Sequence, residues 1–152
     1  MLLTPDFLRF QHDLRMRRDG ATTFVFDPIR RKEVVCTPEE LLRQLVLRYL
    51  LDEKKYPSHR IRVELGLTLN GMPRRSDIVV YDKAINPWLV IECKSPKVVL
   101  TQSTFEQAAK YNMQFRAPFL CITNGMATFC CALDFEQGTF RYLDDFPGFP
   151  SG

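Results

Sequence analysis

The segment from residue 61 to residue 94 constrains the fold more than any other part of this chain. It predicts three strands, at about 61–69, 75–81 and 88–94, with the hairpin dipeptide Asn70-Gly71 between the first two. The second and third strands carry apolar residues on both of their alternating faces. Strands with this pattern lie at the centre of a sheet that is covered on both sides. We therefore expect helices to flank this sheet.

Helical patterns before and after this segment supply the covering layers. Thr37-Pro38-Glu39-Glu40 is typical of a helix start, and apolar residues then recur at helical spacing to about residue 53. A second helix is predicted at about 102–115, opened by a capping box over Ser103–Glu106. Three further strands are predicted at 117–123, 127–133 and 139–143. The order αβββαβ indicates an α/β fold with a central mixed sheet flanked by helices.

The two ends of the chain carry weaker patterns. Three short apolar or β-branched stretches predict a small N-terminal β extension within residues 1–36: 10–16, 22–26 and 33–36. The core is expected over 37–133, and residues 144–152 lack any period, which predicts a loose tail. A length of 152 residues favours one domain, 1–152.

Composition excludes several classes of protein. The five cysteines are an odd number without CxxC spacing, which indicates reduced core residues rather than disulfides or a zinc site. The longest apolar run is far shorter than the ~20 residues that span a bilayer, and the first residues lack the features of a signal peptide. We therefore expect no membrane partner and a cytoplasmic location.

The charge balance leaves the partner open. A net charge of +3 permits a nucleic-acid partner without requiring one. The chain has no GxxxxGK[ST] motif, so it carries no ATP-driven motor of that type. A motor or specificity function would come from a partner protein.

Three charged residues interrupt the apolar strands. Asp77 lies in the second strand of the 61–94 segment, and the third strand ends in Glu92-Cys93-Lys94. Because side chains alternate along a strand, Glu92 and Lys94 must share a face. A buried carboxylate is costly unless it is paired or bound to a cation. Two carboxylates and the carbonyl of Cys93 would suit Mg²⁺ or Mn²⁺, and Lys94 could orient a metal-bound water. The alternative is a set of strand-end charges that pair with one another.

The spacing of these charges resembles a known signature. Asp77, fourteen intervening residues and Glu92-x-Lys94 look like the motif of the PD-(D/E)XK nuclease superfamily. Together with Thr123-Asn124-Gly125, the segments 73–81 and 89–96 closely resemble the N-terminal nuclease domain of type I restriction-enzyme R subunits, including its stand-alone bacterial form. The similarity runs from about residue 24 to residue 143. One departure is Ser76, which stands where a proline is usual.

A second motif belongs to the same resemblance. Gln107 and Tyr111 match the QxxxY motif of type I members of the superfamily, and residues four apart share a helix face. The resemblance implies that this stripe faces the active centre and contacts the nucleic-acid backbone or Lys94. The alternative is a solvated helix flank.

The superfamily often adds a glutamate from the first helix to the metal site, and this chain offers two. Glu40 is explained by the capping box with Thr37 and is expected to point away from the apolar face. Glu39 borders that face and is the preferred candidate. For both, the alternative is a charge that interacts with the helix dipole.

Basic residues offer candidate phosphate contacts, each with a solvated surface charge as the alternative. Those near the motifs are Arg74, Arg75, Lys97, Lys110 and Arg116. Two further clusters lie outside the catalytic segment: Arg15, Arg17 and Arg18, and Arg30, Arg31 and Lys32.

The resemblance implies a restriction-endonuclease-like fold and a Mg²⁺-dependent nuclease that hydrolyses phosphodiester bonds. The expected catalytic residues are Asp77, Glu92, Lys94, Gln107 and Tyr111. DNA is the favoured substrate in restriction or DNA processing, and RNA stays an alternative. A catalytically silent nucleic-acid-binding module, or a partner subunit with the same fold, is the competing interpretation. Sequence specificity, endonuclease or exonuclease action and oligomeric state are left open.

Overall fold

A six-stranded mixed sheet forms the centre of the computed structural model, which describes residues 2–63, 68–69, 72–73, 77–113 and 116–150. Only the main chain is described for residues 68, 69, 72, 73 and 111. The strands are β1 (Met16–Asp19), β2 (Thr22–Asp27), β3 (Lys32–Val35), β4 (Ile61–Val63), β5 (Thr68–Leu69), β6 (Met72–Pro73), β7 (Ile78–Tyr81), β8 (Pro87–Cys93), β9 (Phe119–Thr123), β10 (Thr128–Asp134) and β11 (Thr139–Tyr142).

The central sheet has the order β11-β10-β9-β8-β7-β4. β8 and β9 are parallel, and the other neighbours are antiparallel. A parallel pair needs a crossover connection, and helix α2 (Gln102–Asn112) provides it between β8 and β9. The predicted α/β class, with helices flanking a mixed sheet, is confirmed.

β8 carries apolar residues on both faces, so both faces of the sheet need to be covered. One α-helix packs on each face. On one face, Leu89 and Ile91 of β8 pack with Leu45 and Val46 of helix α1 (Pro38–Arg48). On the other face, Val90 lies in a second cluster with residues of α2, among them Phe105. Within the described residues, no helix is long and apolar enough to cross a membrane.

Helix α1 matches the predicted start but is buried more completely than expected. Thr37 caps it by accepting a hydrogen bond from the Glu40 amide at 3.1 Å, and a π-helical turn at Tyr49–Glu53 continues it to the predicted end. Glu40, Arg43 and Gln44 are buried together with the apolar residues. The expectation that Glu40 points away from the apolar face did not foresee its burial: residues at the end of β2 and in the β2–β3 turn cover that side of the helix.

Helix α2 begins at Gln102 as predicted, but its capping residue is Thr101, two residues before the predicted Ser103. The Thr104 amide donates to the Thr101 hydroxyl at 3.2 Å, and the Thr101 amide donates to the Thr104 hydroxyl at 2.9 Å. This reciprocal pair is a capping box in which threonine replaces the usual acidic partner. The predicted box over Ser103 and Glu106 is wrong, and Glu106 instead accepts a hydrogen bond from Gln102 within the helix.

The N-terminal extension is a three-stranded antiparallel sheet of order β1-β2-β3. The predicted second and third strands of this extension are confirmed, but the first is misplaced. Residues Leu8–Asp13 form a 3-10 helix whose Phe10 enters the core, and β1 begins only at Met16. The apolar residues at 7 and 10 follow a helical rather than an alternating spacing, which accounts for the difference.

Two further predictions concern the hairpin turn at residues 70–71 and the C-terminal tail. The Asn70-Gly71 turn lies outside the described residues, although β5 and β6 on either side pair as an antiparallel hairpin. Residues 144–150, predicted to be loose, lie against the core. Phe146 is buried against Tyr49 with ring centroids 5.2 Å apart, and Phe149 packs on Trp88 at 5.3 Å.

Candidate active site

Asp77 lies directly before β7, where the regular pairing of β7 with β8 ends. Ile78 pairs with Ile91 in register, and the Asp77 amide donates to the Ile91 carbonyl at 3.0 Å. The Cys93 amide then donates to Oδ2 of Asp77 at 2.6 Å. The carboxylate therefore takes a place that a backbone carbonyl would hold in a regular ladder. Asp77 as a whole is only 8% exposed.

Glu92 and Lys94 lie on the same side of the strand end, as the alternation predicts. Glu92 is 2% exposed, and its Oε2 lies 3.3 Å from Nζ of Lys94. Asn112 of α2 approaches Oε1 of Glu92 at 3.4 Å and donates a second hydrogen bond to the Ala108 carbonyl. Cys93 points to the opposite face and packs in the α1 cluster. The charged end of β8 thus faces α2.

The environment of Glu92 disfavours its charged form. Burial raises the pKa of Glu92, and the nearby Asp77 carboxylate adds to the rise. The charge of Lys94 and the hydrogen bonds from Asn112 and Lys94 act in the opposite direction without outweighing burial. The site therefore holds a carboxylate that an additional cation would stabilise.

A pocket of about 470 Å³ opens beside this carboxylate. Glu92 and Lys94 line one side, and Gln107 and Thr104 of α2 line another. Residues 98–100, after β8, supply an apolar wall. The pocket brings Glu92 and Lys94 together with Gln107, the first residue of the QxxxY motif, whereas Asp77 is not among its lining residues. The side chain of Tyr111 lies outside the described residues.

The Thr123-Asn124-Gly125 motif holds two walls of this pocket in place. The Thr123 carbonyl accepts a hydrogen bond from the Lys94 amide at 2.8 Å, which fixes the main chain of that lysine. The Asn124 amide group donates to the Val98 carbonyl at 2.8 Å, and its oxygen accepts from the Met126 and Ala127 amides. Gly125 has a φ of 93°, a left-handed conformation that glycine adopts without strain.

The first helix reaches Asp77 through an arginine. Arg43 donates from Nη2 to Oδ1 of Asp77 at 3.0 Å and to Glu39 at 3.2 Å, and from Nη1 to Glu40 at 2.8 Å. Glu39 is half-exposed, whereas Glu40 also accepts hydrogen bonds from Arg30 and Gln44. Both candidate glutamates therefore contact Arg43, which lies between them and Asp77.

The candidate phosphate contacts divide into engaged and open residues. Arg17 pairs with Glu33 at 2.9 Å, and Arg30 is held in the buried polar cluster at α1. Lys97, Lys110 and Arg116 are exposed, although the Arg116 guanidinium lies over the Phe135 ring at 5.4 Å from its centroid. Arg74 and Arg75 lie outside the described residues.

A family model described as "Type I restriction enzyme R protein N terminus (HSDR_N)" matches residues 38–147. That span contains both α-helices, the whole central sheet and all the candidate active-site residues. The chain belongs to this family. The resemblance drawn from the motifs is thereby confirmed, and membership indicates a restriction-related, nuclease-like domain. A search of curated proteins gives no match.

The donor set of this R-protein N-terminal domain fits a hard divalent cation. An ionised carboxylate offers about four lone-pair sites. Asp77 uses two for Arg43 and the Cys93 amide, and Glu92 uses two for Lys94 and Asn112. Oxygen donors remain on both residues, and Mg²⁺ and Mn²⁺ favour such donors. Within the described part of the chain, no cluster of three or more His, Cys, Asp or Glu side chains is arranged to hold a metal.

Two residues of the candidate active site were not identified from the sequence. Arg43 stands three residues after Glu40 and four after Glu39, a spacing that predicts helix ion pairs but not a contact with Asp77. Asn112 is buried beside Glu92, and no local pattern distinguishes it from a helix-end asparagine. Both contacts are made between elements, so only the packing of the helices reveals them.

Proposed function

We propose that this chain is a metal-dependent nuclease domain that hydrolyses phosphodiester bonds in DNA, in restriction or DNA processing. One observation carries the proposal. Glu92 and Lys94 meet Gln107 around a single pocket, in a chain that belongs to the type I restriction enzyme R protein N-terminal family. Asp77, on the neighbouring strand, adds a second buried carboxylate at the same strand ends.

In this proposal Asp77 and Glu92 hold Mg²⁺ or Mn²⁺, and the Cys93 carbonyl is a further oxygen donor. When bound, such an ion supplies a water of lowered pKa and neutralises charge on the phosphate. The burial of Glu92 supports this role, since a buried carboxylate is stabilised by a bound cation. Arg43 and the Cys93 amide orient Asp77.

Lys94 is the proposed catalytic cation. Its side chain is one-third exposed, at 34%, and lines the pocket next to Glu92, so it can reach both the carboxylate and a bound phosphate. There it orients the attacking water and stabilises charge that develops in the transition state. Gln107 and Tyr111 are proposed to order the nucleic-acid backbone.

The partners follow from the family and the chemistry. The R protein named by the family belongs to a restriction enzyme, so we propose DNA as the substrate and a partner protein as the source of motor or specificity functions. The exposed Lys97, Lys110 and Arg116 are candidate phosphate contacts on this chain.

Substitution of Lys94 tests the proposal. Lys94→Ala keeps both carboxylates and removes the charge that acts on the phosphate. We expect metal-dependent cleavage to fall by about 100-fold or more, the usual loss of a transition-state contact, while Mn²⁺ binding persists. Gel assays with single- and double-stranded DNA and RNA, with Mg²⁺ or Mn²⁺, measure the cleavage.

The matched control is Lys83→Ala, an exposed lysine in the turn between β7 and β8. It should cleave at the wild-type rate. A wild-type protein that binds DNA but cleaves none of these substrates, alone or with a partner, would contradict the nuclease proposal.

A second candidate function is a nucleic-acid-binding module without turnover. It is favoured by the ion pairs that already engage both carboxylates, Arg43 with Asp77 and Lys94 with Glu92. In that case Lys94→Ala would change only the affinity for DNA, and added Mn²⁺ would not stabilise the protein. Cleavage by the wild type and its binding of Mn²⁺ therefore separate the two functions.

A further inference from the structure

A chain of alternating charges, buried except for the partly exposed Arg30, links the N-terminal sheet to the candidate active site. It runs from the N-terminal sheet across α1 to the start of β7 through Asp27, Arg30, Glu40, Arg43 and Asp77. The Arg30–Glu40 and Arg43–Glu40 contacts are both 2.8 Å, and the Arg43–Asp77 contact is 3.0 Å. Gln44 ties the first half together by donating to both Asp27 and Glu40 at 3.0 Å.

Each side chain in this series of charges is held by its neighbours in the series. Burial alone would raise the pKa of Asp27, which is fully buried, but hydrogen bonds from Arg30 and Gln44 outweigh burial and lower it. Burial opposes the charge of Arg43, and Asp77 and Glu40 nevertheless raise the pKa of its guanidinium. A buried charge that loses its partner is strongly unfavourable, so these side chains constrain one another.

Arg43 is the member that touches the site. Its two terminal nitrogens form a fork between α1 and Asp77, and its Nε, although buried, has no hydrogen-bond partner among the described residues. Among the described residues, the carboxylates of Glu39, Glu40 and Asp77 set the orientation of the guanidinium. A planar, two-nitrogen fork fixes direction in a way that a single ammonium cannot.

We propose that Arg43 is a positioning residue that holds the Asp77 carboxylate against the Cys93 amide, and that the N-terminal sheet shares this role through Asp27 and Arg30. Residues 27 and 30 precede the 38–147 span of the family match, so this part of the support comes from outside the matched domain. The consequence for metal binding rests on the proposed function. The positioning of Asp77 itself does not depend on the proposed function.

The first test uses the metal-free, full-length protein. Arg43→Lys leaves the charge of the cluster unchanged, but one ammonium cannot bridge Glu40 and Asp77 as the guanidinium fork does. Hydrogen exchange of the Cys93 amide, followed by NMR, should become about tenfold faster, the size expected for loss of one charge-assisted hydrogen bond. Arg30→Lys should have a smaller effect in the same direction.

The controls separate positioning from general loss of stability. Arg48→Lys changes an arginine near the end of the same helix that pairs with Asp52 at 3.6 Å, and it should leave the Cys93 amide unchanged. The Leu120 amide in β9 is the internal reference, because global destabilisation would accelerate both amides. An unchanged Cys93 amide in Arg43→Lys, or equal acceleration of both amides, would overturn the proposal.

The second test measures Mn²⁺ binding by the electron paramagnetic resonance of the free ion. Loss of a residue that orients a ligand typically weakens metal affinity by 10–100-fold, so Arg43→Lys should raise the Mn²⁺ Kd by about tenfold. Tighter binding would overturn the positioning role, because Arg43 would then compete with the metal. If the wild type binds no Mn²⁺ while the exchange effect persists, the proposed function fails and the positioning of Asp77 stands.

Discussion

Glu92 combines deep burial with incomplete compensation of its charge. Lys94 approaches one carboxylate oxygen at 3.3 Å, whereas Asn112 approaches the other at 3.4 Å, near the long limit for a hydrogen bond. Asp77 is held differently, with a guanidinium on one oxygen and a backbone amide on the other. Two carboxylates at neighbouring strand ends therefore have distinct environments, and Glu92 is the one that lacks a strong partner.

This difference predicts how stability changes with pH. Because burial raises the pKa of Glu92, the folded protein keeps a proton in a range where the unfolded chain has lost it. The contribution of Glu92 to the free energy of unfolding therefore falls as pH rises from its unfolded pKa, near 4.5, through the higher folded pKa. In metal-free Glu92→Gln this loss is absent, so the variant should gain stability relative to wild type as pH increases.

Urea denaturation from about pH 4 to about pH 8 measures the effect. The exposed Glu136→Gln is the matched control and should follow the wild type throughout. A wild type that gains stability relative to Glu92→Gln with rising pH would contradict the assignment of a destabilised carboxylate.

Among the elements, α2 and its capping residues position the pocket. The helix places Gln107 in the pocket, Asn112 beside Glu92 and Phe105 in the core. Its start is set by the Thr101–Thr104 pair, and the Phe105 amide closes the first turn on the Thr101 carbonyl at 3.0 Å. The direction of the helix away from β8 thus depends on Thr101.

Thr101→Ala tests this boundary. Loss of an N-cap hydroxyl should lower the free energy of unfolding by about 1 kcal/mol, because a backbone amide of the first turn loses its acceptor. Ser103→Ala removes a hydroxyl two residues away and should have little effect, since Ser103 lies within the first turn. Chemical denaturation compares the two, and a larger loss for Ser103→Ala would move the cap back to the position that the sequence pattern suggests.

For the whole molecule, both ends of the chain pack onto the central αβββαβ unit. The N-terminal 3-10 helix places Phe7 against Tyr49 at 5.3 Å, and Phe146 reaches the same ring at 5.2 Å from the other end of the chain. Tyr56 donates its hydroxyl hydrogen to the Pro147 carbonyl. The aromatic cluster on the α1 face is therefore completed only when both terminal segments are in place.

Phe146→Ala should therefore cost about 3–5 kcal/mol of unfolding free energy, as expected for an aromatic side chain removed from a core. Thermal and urea denaturation measure the loss. Leu8→Ala is the comparison, because Leu8 is a large apolar residue that is 69% exposed and should change stability by less than about 0.5 kcal/mol. Equal effects of the two substitutions would mean that the C-terminal segment does not close the core.

The sequence by itself determined the order of the elements in the central αβββαβ unit and the relation between Glu92 and Lys94. These properties are local: strand alternation places residues 92 and 94 on one side, and helical spacing predicts α1 together with the π-helical turn that follows it. The family resemblance added the function class, which the match over residues 38–147 supports as a nuclease-like domain.

Only the tertiary structure decided which polar groups are buried together. Arg43 and Asp77 are 34 residues apart, and Asp27 and Gln44 are 17 apart, so no local pattern connects them. The burial of Glu40 was not foreseen because helix periodicity considers one partner surface, whereas α1 is covered by the sheet on one side and by the β2–β3 turn on another. Burial is set by long-range packing, and the environment of the candidate active site follows from that packing.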